Sequence, residues 1–336
     1  MSESYERRWE PRRAGGRSVT DESRSSYYGI PVIHKPHWKW EIYLYFFLGG
    51  ITGASYVIAT IVQLFGGRES RPIVRTGRYL SVATVIPSPI LLILDLKRPE
   101  RFHHMLRVVK LRSPMSLGTW GLVLFSVFSA LSALIQAAED GLFGRRNGVA
   151  RLLTALPAGA IGVLGSAPAF FVSGYTGVLL AATAVPLWAK NYLLLGPLFI
   201  ASSLSNATAA IALLLAVAGK AKEQTLKRLE RLDMLMLLGE LGLLLAMRAN
   251  MGPVIGRPLH EGKFGWLHRL GVLGAGIAVP LALQSKSVLF GGKASRFVVA
   301  LASTLVLVGG FLLRYIIVMA GKESADDPQA TFELTK

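Results

Sequence analysis

Glu41, Asp95, Tyr175, Glu240, Arg248 and Arg314 are proton-bearing or charged, and each lies inside or at the edge of a long apolar run. Charge is costly in such surroundings. It persists where it is paired, neutralised or placed on a proton path. Carboxylates, a phenol and guanidinium groups in a dry setting can move protons and hydrogen-bond a polar ligand. Glu240, midway along its run, is the strongest single candidate. Glu41 and Arg248 also read as interfacial residues that reach back to water. Arg314 reads either as a functional cation or as the structural partner of Glu240 or Asp95. Asp233, near the start of the Glu240 run, reads as part of a solvated loop.

The elements that must hold these residues are apolar. The protein has 336 residues, 52% hydrophobic and only 17% charged, and its mean hydropathy is +0.45. Spans of ~20 apolar residues cross a bilayer as helices. The runs are Trp40 to Phe65, Ile73 to Leu94, Ser116 to Ala138, Gly159 to Ala184, Tyr192 to Ala218, Leu226 to Ala249, Trp266 to Leu283, and Phe297 to Ala320. The fold expected is therefore an all-α integral membrane protein, a bundle of about eight transmembrane helices with both termini on the same side. A polar, extended or disordered tail over residues 1–35 precedes a membrane domain over residues 36–321, and a short polar tail covers residues 322–336,.

The side that holds the termini is called A and the opposite side B. On this reading the six residues above converge towards side A from five helices, and the side-B half has nothing comparable. Pro87 and Pro89 should kink the second run. Gly49 and Gly53 form a small-xxx-small pair suited to close helix packing.

Several function classes fall away. The net charge of +17 fits Lys and Arg flanking membrane spans, and no basic module interleaved with aromatics suggests nucleic acid. Lys and Arg divide almost evenly between the two sides, so charge does not orient the protein. There is no Cys, so this polypeptide holds no disulfide and no thiolate-ligated cluster or metal. None of the six His lies mid-run, as the axial ligands of a membrane haem would,. Instead His37, His103 and His104 cluster on side A with Asp95, Arg98 and Arg101. They form either a polar interfacial loop or a proton-exchanging rim.

Four strings in order carry a resemblance. They are His37-Trp38-Lys39-Trp40-Glu41 at the head of the first run, and Asp95-Leu96-Lys97-Arg98-Pro99-Glu100-Arg101 with His103-His104 after the second. Ser113-Pro114 through Trp120 opens the third, and Gly174-Tyr175-Thr176-Gly177 lies in the fourth. Together they resemble the NrfD family, the PsrC-like membrane subunits of polysulfide reductase, over roughly residues 27–205, and more weakly as far as Gly309-Gly310 and Arg314. Lys97 departs from the pattern, where the family commonly has Gly.

The resemblance implies an eight-helix, multi-pass subunit of the bacterial cytoplasmic (inner) membrane, with its orientation open. It implies exchange of electrons with a quinone, menaquinone or ubiquinone, as bound substrate. It implies no haem, iron–sulfur cluster or metal in this subunit. The partners implied are a ferredoxin-like iron–sulfur subunit and a large catalytic subunit, often a molybdopterin enzyme. Under that reading Tyr175 and His37 would face the quinone carbonyls, with Glu41, Asp95 and Trp40 around them. Glu240, His104, Arg248 and Arg314 would form a proton path. Arg98, Arg101, Ser113 and Trp120 would face the partner. Two other readings stay open, a multi-span transporter built on the buried charges and broken helices, and a purely structural anchor.

Overall fold

The computed structural model describes residue 33 and residues 35–144, 147–219, 222–289, 292 and 295–335. The Arg-rich part of the N-terminal tail and His34 lie outside the described residues. The rest is helical. The first helix, α1, is Trp40–Phe65, matching the first apolar run. Next come α2 (Arg71–Val85) and α3 (Pro87–Asp95), separated at Ile86. Pro87 and Pro89 supply no main-chain N–H there, so the ladder is interrupted as expected.

A 3₁₀ turn at Pro99–Leu106 leads to α4, Pro114–Glu139, whose first turn is capped by the Ser113 hydroxyl accepting from the Ser116 N–H,. Then follow α5 (Gly148–Ala155), α6 (Ala158–Ala181), the short α7 (Pro186–Lys190) and α8 (Tyr192–Val217).

The longest helix is α9, Glu223–Ile255, 33 residues with a kink at Gly252, whose φ is +65°. Gly tolerates that left-handed backbone, and Pro253 follows it. Two short helices, α10 (Arg257–His260) and α11 (Gly262–Trp266), pass into a π-helical stretch, Leu267–Ala278, which continues as α12, Val279–Val288. The last two helices are α13 (Arg296–Asp326) and α14 (Pro328–Thr335). The segment expected as a short polar tail therefore begins as the last turns of α13 and ends in a helix of its own.

Among the described residues, seven helical stretches are long and apolar enough to cross a membrane. The sixth apolar run, now within α9, belongs to a helix longer than any of them, whose first turns are charged. The molecule is a multi-pass membrane protein.

The centre of the bundle is α1 and α8. Helix α1 packs on α2, α3, α6, α8 and α13, while α8 packs on α6, α9 and α13. Between apolar helices in lipid, small residues and polar contacts give adhesion, since the lipid is as apolar as the helices. Gly53 shows this: a Cβ there would run into the main-chain oxygen of Ala169 on α6. Gly276 and Gly309 likewise bring the π-helical stretch and α13 into backbone contact. Gly49, the other half of the expected pair, faces only Tyr45 of its own helix, and Gly50 makes the second close approach, to Ser203.

The two ends of the bundle are stapled separately. At the A end Trp38 stacks on Trp188 at 5.4 Å, Trp188 Nε1 donates to Ile317 O at 2.8 Å, and Lys322 donates to Trp38 O at 3.0 Å. Lys35 pairs with Asp326 there as well. At the B end Lys222 pairs with Glu69 at 2.9 Å, Arg228 bonds Ser70 at 3.0 Å, and Asp140 takes Tyr79 at 2.6 Å and Arg75 at 2.9 Å.

Candidate functional site

The polar groups fall into two assemblies. The first lies at the A end, where α1, α3, α4 and α6 meet. Asp95, the last residue of α3, faces the start of α1, with the Lys39 main chain and the side chains of Glu41 and His37 as its electrostatic neighbours. Glu41 and Tyr45 are four residues apart, on one face of α1. Tyr45 is buried and neighbours Tyr175 of α6. The Tyr175 hydroxyl donates to Pro114 O, and its ring packs on Phe171 at 5.1 Å. Gly118, one turn into α4, leaves the room the Tyr175 ring occupies. Glu41 Oε2 and Trp120 Nε1 are buried without a partner, so this end holds an acceptor and a donor that the protein itself leaves unused.

The residues proposed around this site are therefore not equivalent. Glu41, Asp95 and Tyr175 sit at one end of the bundle, Asp95 beside Glu41 and Tyr175 beside Tyr45. His37 reaches Asp95 electrostatically but is itself exposed, and Trp40 is 52% exposed. Arg98, just before the 3₁₀ turn, and Arg101, on it, are exposed, and the Ser113 hydroxyl serves α4 as its cap. The rings of His103 and His104 meet at 4.5 Å on the same outward-facing turn.

The second assembly lies inside the bundle. Arg314 of α13 is fully buried, and its guanidinium donates to the Ser202 hydroxyl, to Ser203 Oγ at 3.2 Å and to Gly310 O at 3.3 Å, while lying 5.1 Å from the Phe199 ring centre. Glu240 is 4% exposed, with Arg314 and the Ser202 hydroxyl as its neighbours. Ser202 thus stands between the two charges. Of its two expected partners, Glu240 is the one that Arg314 neighbours electrostatically, with no direct ion pair between them among the described residues. Arg248 is exposed at the far end of α9, beside His260 and His268. His104 and Arg248 are not brought to the Glu240–Arg314 pair.

Two expectations are corrected. Asp233 is no loop residue: it is 2% exposed, accepting from Ser205 at 2.7 Å and Gln284 at 2.6 Å. The side-B half is also far from empty, since Glu230, Asp233 and Arg78 are all buried there. The physical reason is helical phase. Glu230, Asp233, Leu237, Glu240, Leu244 and Met247 recur at three- and four-residue steps and form one buried stripe,. That spacing is readable in the sequence, whereas nothing there marks Tyr45 apart from its neighbours Tyr43 and Phe46.

A bundle of apolar, closely packed helices, with polar groups gathered at one end and along one internal stripe, defines a multi-pass membrane protein. The protein belongs to the polysulphide reductase NrfD family, whose profile matches residues 32–324. It is 31% identical over 266 residues to the C subunit of polysulfide reductase from Wolinella succinogenes, a match spanning 74% of this protein and 82% of that one. To the protein NrfD of Escherichia coli it is 27% identical over 270 residues, 74% of this protein and 84% of the other. To an NrfD homologue of Haemophilus influenzae it is 28% identical over 282 residues, spanning 76% and 85%.

Proposed function

We propose that this protein is the quinone-reactive membrane subunit of a respiratory oxidoreductase in a bacterial inner membrane. It passes electrons between the quinone pool and a ferredoxin-like iron–sulfur subunit, which serves a larger catalytic subunit, often a molybdopterin enzyme. Membership of the NrfD family and likeness to a subunit of polysulfide reductase support this reading. With no Cys in the sequence, thiolate-held clusters belong to the partner.

The observation that carries the proposal is the A-end assembly. A quinone has two carbonyl oxygens and an apolar tail, and its reduction consumes two electrons and two protons. The site must offer donors, proton relays and a lipid-facing opening close to one membrane surface. The unpartnered Trp120 Nε1 is a free donor, Tyr175 becomes one by turning its hydroxyl from Pro114 O to the ligand, and Glu41 and Asp95 are carboxyl groups able to pass protons outward past His37,.

The test is purification from native membranes in mild detergent, with mass spectrometry and metal analysis of the co-purifying proteins. Quinol-linked turnover is then measured on the same complex. A cysteine-rich iron–sulfur partner is expected. Asp95→Asn is expected to lower turnover about 100-fold with the complex intact, the scale of a lost proton-transfer group, and Tyr175→Phe to lower it as well. A protein that comes out alone and iron-free, or turnover indifferent to both changes, overturns the reading.

We also propose that Glu240 takes up and releases a proton in step with quinone chemistry, with Arg314, held through Ser202, as the fixed positive charge that steadies its ionised form,. Glu240→Gln should then leave quinone turnover standing and lower the protons moved per electron in sealed vesicles. An unchanged ratio removes the idea.

A further inference from the structure

A group of ionisable residues at the B end has no place in the A-end site. Glu230 and Asp233 lie one turn apart on α9, 3% and 2% exposed. Asp233 has both oxygens filled, by Ser205 of α8 and Gln284 of α12, and Ser287 of α12 donates to Glu230. Among the described residues, no Lys, Arg or His forms an ion pair with either carboxylate. Lys227, which faces Glu230 from the same helix, is paired with Glu223 at 3.1 Å. The other charged group facing Asp233 is Glu240, which adds negative charge.

Two atoms here lack a partner, Oε1 of Glu230 and Oε1 of Gln284. The Gln284 amide is oriented by its NH₂, which must point at the Asp233 carboxylate. Both orphans are therefore acceptors. Their residues, with Asp233 and with Ser303 of α13, line a small cavity with room for about one water-sized occupant,. What is missing is a donor or a positive charge, and two buried carboxylates without a bonded cation call for the charge.

We propose that Glu230, Asp233, Gln284 and Ser303 form a binding site for one small, hard monovalent cation, a hydrated proton or Na⁺. The donor set is all oxygen, with no imidazole or thiolate for a transition metal. The cavity is too small for Mg²⁺ with the waters it retains. The site stands at the far end of the α9 stripe from the A-end assembly, and it holds whether or not the quinone reading does.

The test uses the full-length protein in lipid nanodiscs. Thermal unfolding is followed in NaCl and in choline chloride of equal ionic strength, and infrared difference spectra are recorded through a pH titration. Bound Na⁺ predicts a saturable rise in unfolding temperature with NaCl alone, its apparent affinity weakened about tenfold by Asp233→Asn, as loss of one charged ligand implies. Ser303→Val, which fills the cavity and spares the carboxylates, should do the same. A bound proton predicts no sodium effect and a titrating carboxyl band that Glu230→Gln or Asp233→Asn removes. If Asp233→Asn fails to fold, Glu230→Gln and Ser303→Val carry both arms. Absence of both signals, or signals unchanged in every folded variant, overturns the proposal.

Discussion

Arg314 shows how a guanidinium is kept inside an apolar bundle. Its two terminal nitrogens meet two hydroxyls and main-chain oxygens, its Nε is left without a partner, its central carbon lies 5.1 Å from the Phe199 ring centre, and Glu240 supplies opposite charge beyond Ser202. Removing one member of such a buried set strands the other, at a cost of about 3–5 kcal/mol, whereas an apolar replacement of both is far milder. Glu240→Leu and Arg314→Met should each lower thermal stability strongly, and the double variant should be more stable than the sum of the two implies. The measurement is a double-mutant cycle on the purified protein. Strict additivity would mean that the two charges do not sense one another.

At the scale of elements, the helix ends were legible wherever polar residues bound an apolar run. Trp40–Phe65 is the clearest case, and the break at Ile86 is written in Pro87 and Pro89. Helix α9 was legible only in its apolar middle, because its first turns carry charges that resemble a loop until their helical phase is followed. The same blindness hid Asp233 and Glu230. Tyr45 was hidden for another reason: its role comes from α6, which a single sequence cannot bring beside it. Asp95 and Glu41 could be picked out because carboxyl groups at the ends of apolar runs are costly, and Tyr175 through the Gly174-Tyr175-Thr176-Gly177 string that carries the family resemblance,. Close packing was legible as a class of residue and not as an address, since Gly50 and Gly53, not Gly49, meet the neighbouring helices. Gly53→Val should therefore destabilise by about 1–3 kcal/mol, the cost of overpacking, and more if α6 cannot withdraw. Gly49→Val should have a smaller effect, and comparison of the two unfolding temperatures decides.

At the scale of the whole molecule, each end of the bundle has its own staples, and the charged stripe of α9 runs through the interior between them. This stripe has a consequence for how the protein is made. The insertion machinery judges each segment as it emerges, and an acidic or basic residue near a helix centre adds roughly 2.5–3.5 kcal/mol to the apparent cost of entry. Alone, α9 with Glu230, Asp233 and Glu240 is a poor client, and the cation that answers Glu240 lies in α13, which is synthesised last of the long helices. Helix α8, already in place with Ser202 and Ser205 facing the stripe, is its natural usher. In a glycosylation-mapping assay, a nascent polypeptide ending before Arg296 should leave α9 only partly inserted. Restoring α13, or replacing Glu240 with Leu, should drive it home. The buried stripe would thus set the order in which this membrane protein is assembled, with the final helix locking in a segment that the bilayer would not have accepted by itself.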